Sequence, residues 1–245
     1  MSETEKTAPA RERIAANLAA IQKRIAAACR QAGRQADAVR LVAVTKYVAA
    51  DLTRLVVEAG CQDLAESRPQ SIWAKAAALA AAQRAPRWHL VGHLQRNKIR
   101  RTLPLLSMLH SLDSLRLLEA IAAEAAAGGD GPPCDVLVEV NLTSDPGRSG
   151  VPVAEAATLV DAASQAPGIR LRGLMGMAGH PDAADADPRR DFARLRGLRD
   201  DLAARLPDPA MLDELSMGMS NDFEAAILEG ATIVRIGTAI FEGLR

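Results

Sequence analysis

Apolar positions along this chain follow two alternating rhythms. From Arg11 to Arg30, Ile14, Leu18, Ile21 and Ile25 recur at spacings of four, three and four, the stripe of an amphipathic helix, which Gly33 closes. Leu41 to Thr45 is a short apolar, β-rich run. Asp51 to Ala59 is helical in pattern and ends at Gly60, and Cys61 to Ala65 is a second strand. Strands follow at Trp88 to Val91 and Met108 to Leu112, with helices at Gln95 to Leu106 and Leu115 to Ala127, the latter stopped by Gly128-Gly129. After the turn Gly131-Pro132-Pro133, Val136 to Val140 is a continuous, β-branched strand, and Pro152 suits the first turn of a helix running to about Ser164. Ile169 to Met175 is the next strand. The helix after it spans Arg189 to Leu206, with Phe192, Leu195, Leu198 and Leu202 on one face. Glu214 to Met217 leads into Asn221 to Leu228, and Ile233 to Ile236 leads into a short C-terminal helix.

Eight strands, each followed by a helical segment, in a chain of 245 residues predict an α/β fold, a single (β/α)8 TIM barrel with an extra N-terminal helix. An open doubly wound sheet is the alternative on pattern alone. No Pro/Gly/Ser-rich linker divides the chain, so residues 11–245 are read as one domain and residues 1–10 as a disordered tail. The loop from Gly179 to Pro188, with its alternating Ala and Asp, is expected to be the most mobile segment.

Charge changes the list of partners. Thirty Lys and Arg balance thirty Asp and Glu, which removes the chain-wide electrostatic case for nucleic acid or anionic lipid and leaves small ligands. No apolar run is long enough to span a membrane, and Met1 to Ala10, with Glu3, Glu5 and Lys6, does not read as a secretory signal, so a cytoplasmic location is expected. Cys29, Cys61 and Cys134 are far apart with no CxxC spacing and read as reduced core thiols. Only five of the thirty basic residues are lysines, Lys6, Lys23, Lys46, Lys75 and Lys98, so each lysine merits inspection.

In such a barrel the ligand sits at the carboxyl ends of the strands. Lys46 ends the run Leu41-Val42-Ala43-Val44-Thr45-Lys46, where apolar walls would disfavour the ammonium form and leave an amine able to attack an aldehyde; the plain alternative is a lysine reaching solvent. Ser216-Met217-Gly218-Met219-Ser220-Asn221-Asp222 follows the seventh strand, and Arg235-Ile236-Gly237-Thr238-Ala239 follows the eighth. Free backbone N–H groups, the Ser220 and Thr238 hydroxyls and Gly237 describe an anion cradle at the two loops where barrels commonly bind phosphate. An amine and a phosphate site together suggest pyridoxal phosphate or a phosphosugar aldehyde handled by an aldolase. Arg235 points to the same side of its strand as Gly237; facing a pyridine nitrogen, a guanidinium that cannot deprotonate would keep that nitrogen unprotonated. His89 and His93 lie on a strand and turn, so their spacing of four does not make a helical metal pair, and no metal is expected. Arg96, Lys98, Arg100 and Arg101 form a local basic patch, read as a solvated face or a docking surface for partner enzymes.

These residues resemble the pyridoxal phosphate homeostasis proteins, which are similar in fold to the N-terminal barrel of alanine racemase. The resemblance covers nearly the whole chain after residue 40. It rests on Ala43-Val44-Thr45-Lys46, on Trp88 to Lys98, on Gly173-Leu174-Met175, on Ser216 to Asp222 and on Val234 to Phe241. It implies pyridoxal 5'-phosphate as cofactor, Lys46 as the Schiff-base lysine, Arg235 as the ring-nitrogen partner, and Ser220, Gly237 and Thr238 as phosphate contacts. The implied role is a carrier that buffers the cofactor or delivers it to PLP-dependent apoenzymes without robust catalysis; a racemase of alanine racemase type and an imine-forming aldolase stay open. A racemase needs a second base on the far ring face. The one tyrosine, Tyr47, would point away from Lys46 if the strand continued that far. The chain departs from the family pattern at Ala65-Glu66-Ser67, where Gly-Glu-Asn is usual, and at Phe241-Glu242-Gly243, where Phe-Gly is usual.

Overall fold

The structure, a computed structural model, describes residues 3–82, 85–128, 131–143, 145, 147–180 and 187–244. Eight parallel strands make the barrel: β1 (Arg40–Val44), β2 (Asp63–Glu66), β3 (Arg87–Leu90), β4 (Leu106–Leu112), β5 (Cys134–Asn141), β6 (Ile169–Gly176), β7 (Glu214–Ser216) and β8 (Ile233–Ile236). Each pairs with the next, and β8 pairs back with β1 through Arg40 and Ile233 to Ala43 and Ile236, which closes the ring. A two-residue strand, Val151–Pro152, adds to the end of β5. Closure leaves no sheet edge and selects the barrel over the open sheet.

Helices wrap the outside: α1 (Glu3–Gln31), α2 (Ala50–Glu58), α3 (Pro69–Ala78), α4 (Ile99–Thr102), α5 (Leu115–Ala127), α6 (Val153–Gln165), α7 (Pro188–Ala203) and α8 (Phe223–Leu228). The α1 stripe is buried as its spacing predicts, Ile14 at 0% exposure and Ile25 at 5%. Burying each such side chain contributes roughly 1.5–3 kcal/mol. Asn17 of α1 donates to the Ile240 and Glu242 carbonyls, both at 3.0 Å, and Arg24 stacks on the Phe223 ring. The extra helix thus braces the segments that follow β7 and β8.

Three expectations need correction. Residues 3–10, expected as a disordered tail, continue α1, with Pro9 inside the helix at its seventh residue. The predicted helix from Gln95 to Leu106 is a single α turn between two 3-10 turns, because Pro104 cannot donate back along a longer helix. The C-terminal helix is a 3-10 turn, Thr238–Phe241. Helix α3 fills a stretch that the apolar pattern leaves unmarked; Pro69 opens it and alanines dominate its length. In the loop expected to be mobile, residues 181–186 lie outside the described residues. Among the described residues, no helix is long and apolar enough to cross a membrane.

Alternation sorts the strand residues into two cores. One face packs under the helices. The other forms a small interior cluster of Val42, Ala65, Met108, Leu137, Met175 and Ile233. The remaining interior places carry polar groups, and these lead to the site.

Candidate functional site

Two turns at the carboxyl end of the barrel form one wall. After β7, Gly218 takes φ +91°, and a Cβ there would fall 2.6 Å from the Ala226 Cβ and 2.8 Å from the Phe223 Cα. Only glycine fits both the backbone angle and the space. The Asp222 carboxylate accepts from the Met219 N–H at 2.6 Å and sets the turn that carries Ser220. The backbone N–H of Ala239 donates to Ser220 Oγ at 3.4 Å, so the turn after β7 and the turn bearing Gly237 and Thr238 are joined. Thr238 is exposed, and Ser220 and Gly237 are half-buried.

Gly237 also links this wall to β1. A Cβ on it would meet the Val44 carbonyl oxygen at 3.1 Å and the Val44 Cβ at 3.3 Å. Two residues beyond Val44 stands Lys46, at the same rim but not in the setting expected for it. The strand ends at Val44, and the Val48 N–H bonds to the Thr45 carbonyl at 3.1 Å, which turns the chain. Lys46 is exposed rather than enclosed by apolar walls, with its Nζ 4.9 Å from the centroid of the Tyr47 ring. The turn breaks the alternation that would send Tyr47 away, so these two side chains face each other, which is a second correction to the sequence-based reading.

Behind Lys46 lies a clamp. Lys75 of α3 is buried and donates to the Thr45 carbonyl at 2.7 Å and to Glu66 Oε1 at 2.5 Å, while Thr45 Oγ1 donates to the same carboxylate oxygen at 2.6 Å. Glu66 Oε2 is buried with no hydrogen-bond partner among the described residues. The scarcity of lysine draws attention to Lys75; its pairing partner is set by the packing of α3 on β2.

Arg235 is buried inside the barrel. Its Nη1 donates to Ser216 Oγ at 2.7 Å and its Nη2 to the Gly176 carbonyl at 3.1 Å. Burial lowers its pKa to about 10, with Glu139 and Asp222 nearby acting in the opposite direction, so it stays a cation at neutral pH. Ser216 Oγ also lies 2.9 Å from His110 Nδ1, His110 Nε2 lies 2.9 Å from His89 Nδ1, and His89 Nε2 lies 3.0 Å from Asp63 Oδ1. Arg87 donates to both Asp63 oxygens. Glu139 is buried too and accepts from Ser149 Oγ at 2.5 Å; burial raises its pKa, partly offset by that bond. Sequence reasoning passed over His110, Ser216, Glu139 and Asp63. The available signal was one polar residue at an inward position in each of several apolar strands.

His89 fills an interior place, as expected, and His93 is exposed beside Asp113 at 3.1 Å. Among the described residues, no group of three His, Cys, Asp or Glu is placed to hold a metal. All three cysteines are free, and burial pushes the Cys61 and Cys134 thiols up to about 12. In the basic patch Arg96, Arg100 and Arg101 are exposed, and Arg101 lies over the Trp73 ring at 4.2 Å.

The donor set suits a phosphorylated aromatic aldehyde: a hydroxyl and glycine-lined turns for the phosphate, a buried guanidinium for a ring acceptor and a lysine at the same rim. Fold and site define a barrel of the type described as "Alanine racemase, N-terminal domain", whose family model matches residues 16–244. Within that class, this chain belongs to the pyridoxal phosphate homeostasis protein family. It is 40% identical to the protein of that name from Pseudomonas aeruginosa, over 93% of this chain and 94% of the relative, and 34% identical to the one from Escherichia coli, over 93% and 95%. PipY of Synechococcus elongatus, solved with PLP bound, is 31% identical at a TM-score of 0.79, covering 93% of this chain and 99% of that one.

Proposed function

We propose that this chain holds pyridoxal 5'-phosphate on Lys46 and buffers it or delivers it to PLP-dependent apoenzymes, with no robust catalysis of its own. The observation that carries the reading is the packing of Gly237 against Val44, which puts the lysine-bearing end of β1 beside the joined turns of β7 and β8. Ser220, Gly237 and Thr238 would hold the phosphate, and Arg235 would meet the ring nitrogen. When bound, the cofactor supplies an aldehyde that condenses with a lysine amine. The exposure of Lys46 suits a carrier, because solvent and an acceptor protein reach the amine without the barrel opening. The names of the 40% and 34% identical relatives support the same role. We place this role in the cytoplasm, in keeping with three unpaired thiols.

A racemase of alanine racemase type is the second reading, and the contact between Lys46 and Tyr47 favours it, since a phenol beside the amine is a candidate second base. One experiment separates the two. Loaded protein is incubated with L-alanine or L-serine and, separately, with a PLP-dependent apoenzyme, following chirality and recovered apoenzyme activity. The carrier predicts restored apoenzyme activity and negligible racemisation. Turnover of about 1 per second or faster, abolished in Tyr47→Phe, would establish the racemase instead.

A further inference from the structure

The polar chain behind Arg235 has one proton arrangement that satisfies every contact with both histidine rings neutral. Hydrogen bonds from Arg87 and His89 outweigh burial and hold the Asp63 carboxyl well below the usual range, so it is ionised and only accepts. His89 must therefore donate from Nε2. With that ring neutral, its Nδ1 accepts, which requires His110 to donate from Nε2 and to accept at Nδ1. The acceptor at His110 Nδ1 takes the single Ser216 hydroxyl proton, and a lone pair of Ser216 Oγ receives the Arg235 guanidinium. Every member is at least 94% buried, with Ser216 and His110 at 0% exposure, so water cannot substitute for a missing partner.

We propose that His110 is a positioning residue that acts through Ser216 on Arg235, and that the chain Arg235–Ser216–His110–His89–Asp63 keeps both histidines neutral with their protons on Nε2. The ring-nitrogen partner is thereby oriented from the far end of the barrel. Burial and the nearby cations Arg235 and Arg40 agree with a neutral His110, while Glu139 and Asp222 act on Arg235 rather than on His110. The outer end is closed by Arg87 on Asp63. A cationic His110 would turn a second donor toward Ser216 beside the guanidinium, and no buried carboxylate would touch the ring. The inference rests on the cofactor reading for its consequence, though not for the proton arrangement itself.

The arrangement is tested first without cofactor, by ring-nitrogen chemical shifts of the histidines between pH 6 and 8. The expected result is two neutral Nε2–H rings; a cationic ring or an Nδ1–H tautomer at either position overturns the proposal. The effect on Arg235 is tested in loaded protein with His110→Leu, Ser216→Ala and His110→Gln. The first two are expected to shift the absorbance of bound pyridoxal phosphate and to weaken its binding about tenfold, the size of one lost hydrogen bond to a charged group. The glutamine variant, with an acceptor and a donor at its tip, should recover most of both. Native spectra and affinity in folded His110→Leu or Ser216→Ala would overturn the positioning role, and Ser216→Ala alone decides if the leucine variant does not fold. The Lys46→Ala control separates the two failures. An adduct that persists in it sinks the cofactor reading, whereas the histidine spectra bear on the chain alone.

Discussion

The two sides of the barrel mouth are built on opposite plans. On the β7–β8 side the backbone has no slack: Gly218 and Gly237 are filled to contact, Ser220 bonds across to Ala239, and Arg235 is held by Ser216 and Gly176. On the β1 side the strand stops short, and Lys46 stands exposed beside Tyr47 on a turn whose first residue is gripped from behind. Under the proposed role, a rigid wall for the phosphate and an exposed lysine suit a protein that retains a ligand and also surrenders it. On that proposal, binding would rest on the side with no reorganisation to undergo, and release on the side open to solvent.

The comparison breaks most completely if the rear clamp is removed. Lys75→Met leaves the Glu66 carboxylate buried without its cation, and we expect a loss of about 3–5 kcal/mol in stability by denaturant unfolding. Relief in Lys75→Met/Glu66→Leu would show that the unpaired charge, not the lost lysine, carries the cost. Gly218→Ala attacks the rigid side: backbone strain at positive φ together with overlap at Ala226 and Phe223 should cost about 2–4 kcal/mol and abolish phosphate-dependent binding. A milder result would mean that the turn yields.

Acid should sharpen the picture at a smaller scale. Burial, with the nearby cation Arg235, holds the His110 pKa well below its usual value. The unfolded chain therefore binds a proton that the folded chain refuses, so this contribution is complete above about pH 6.5 and declines below it, by up to about 1.4 kcal/mol per pH unit. Asp63, also lowered, adds the same sign below about pH 4. Glu139 and Asp222, raised by burial, have the opposite sign: their contribution is present at low pH and lost as pH rises through their folded values. Unfolding free energies of the native chain and His110→Gln across pH 5.5 to 8 isolate the histidine, and parallel profiles would refute its part. The smallest effect is expected on the open side. Tyr47→Phe, with Tyr47 at 76% exposure, should change stability by less than about 0.5 kcal/mol and leave cofactor retention near native.

The same contrast explains what the sequence discloses. The α1 stripe and the eight strands are legible because periods of 3.6 and 2 are local properties, and the joined turns are legible because their positions follow from strand order. Of the proposed site residues, Lys46, Ser220, Gly237 and Thr238 fall at this rim, and Arg235 lies beneath it in the interior. The environment of Lys46 was not legible, since the turn at Thr45 to Val48 that exposes it depends on the contact with α3. His110 was hidden for another reason: a single polar residue in Met108 to Leu112 looks incidental until eight strands close and set it against Ser216, more than a hundred positions away.

The most direct measurement is peptide mapping after borohydride reduction of protein loaded with pyridoxal 5'-phosphate. The account predicts one phosphopyridoxyl group, on the peptide containing Lys46, with Lys6, Lys23, Lys75 and Lys98 unmodified. Modification at any of those four with Lys46 untouched would contradict it.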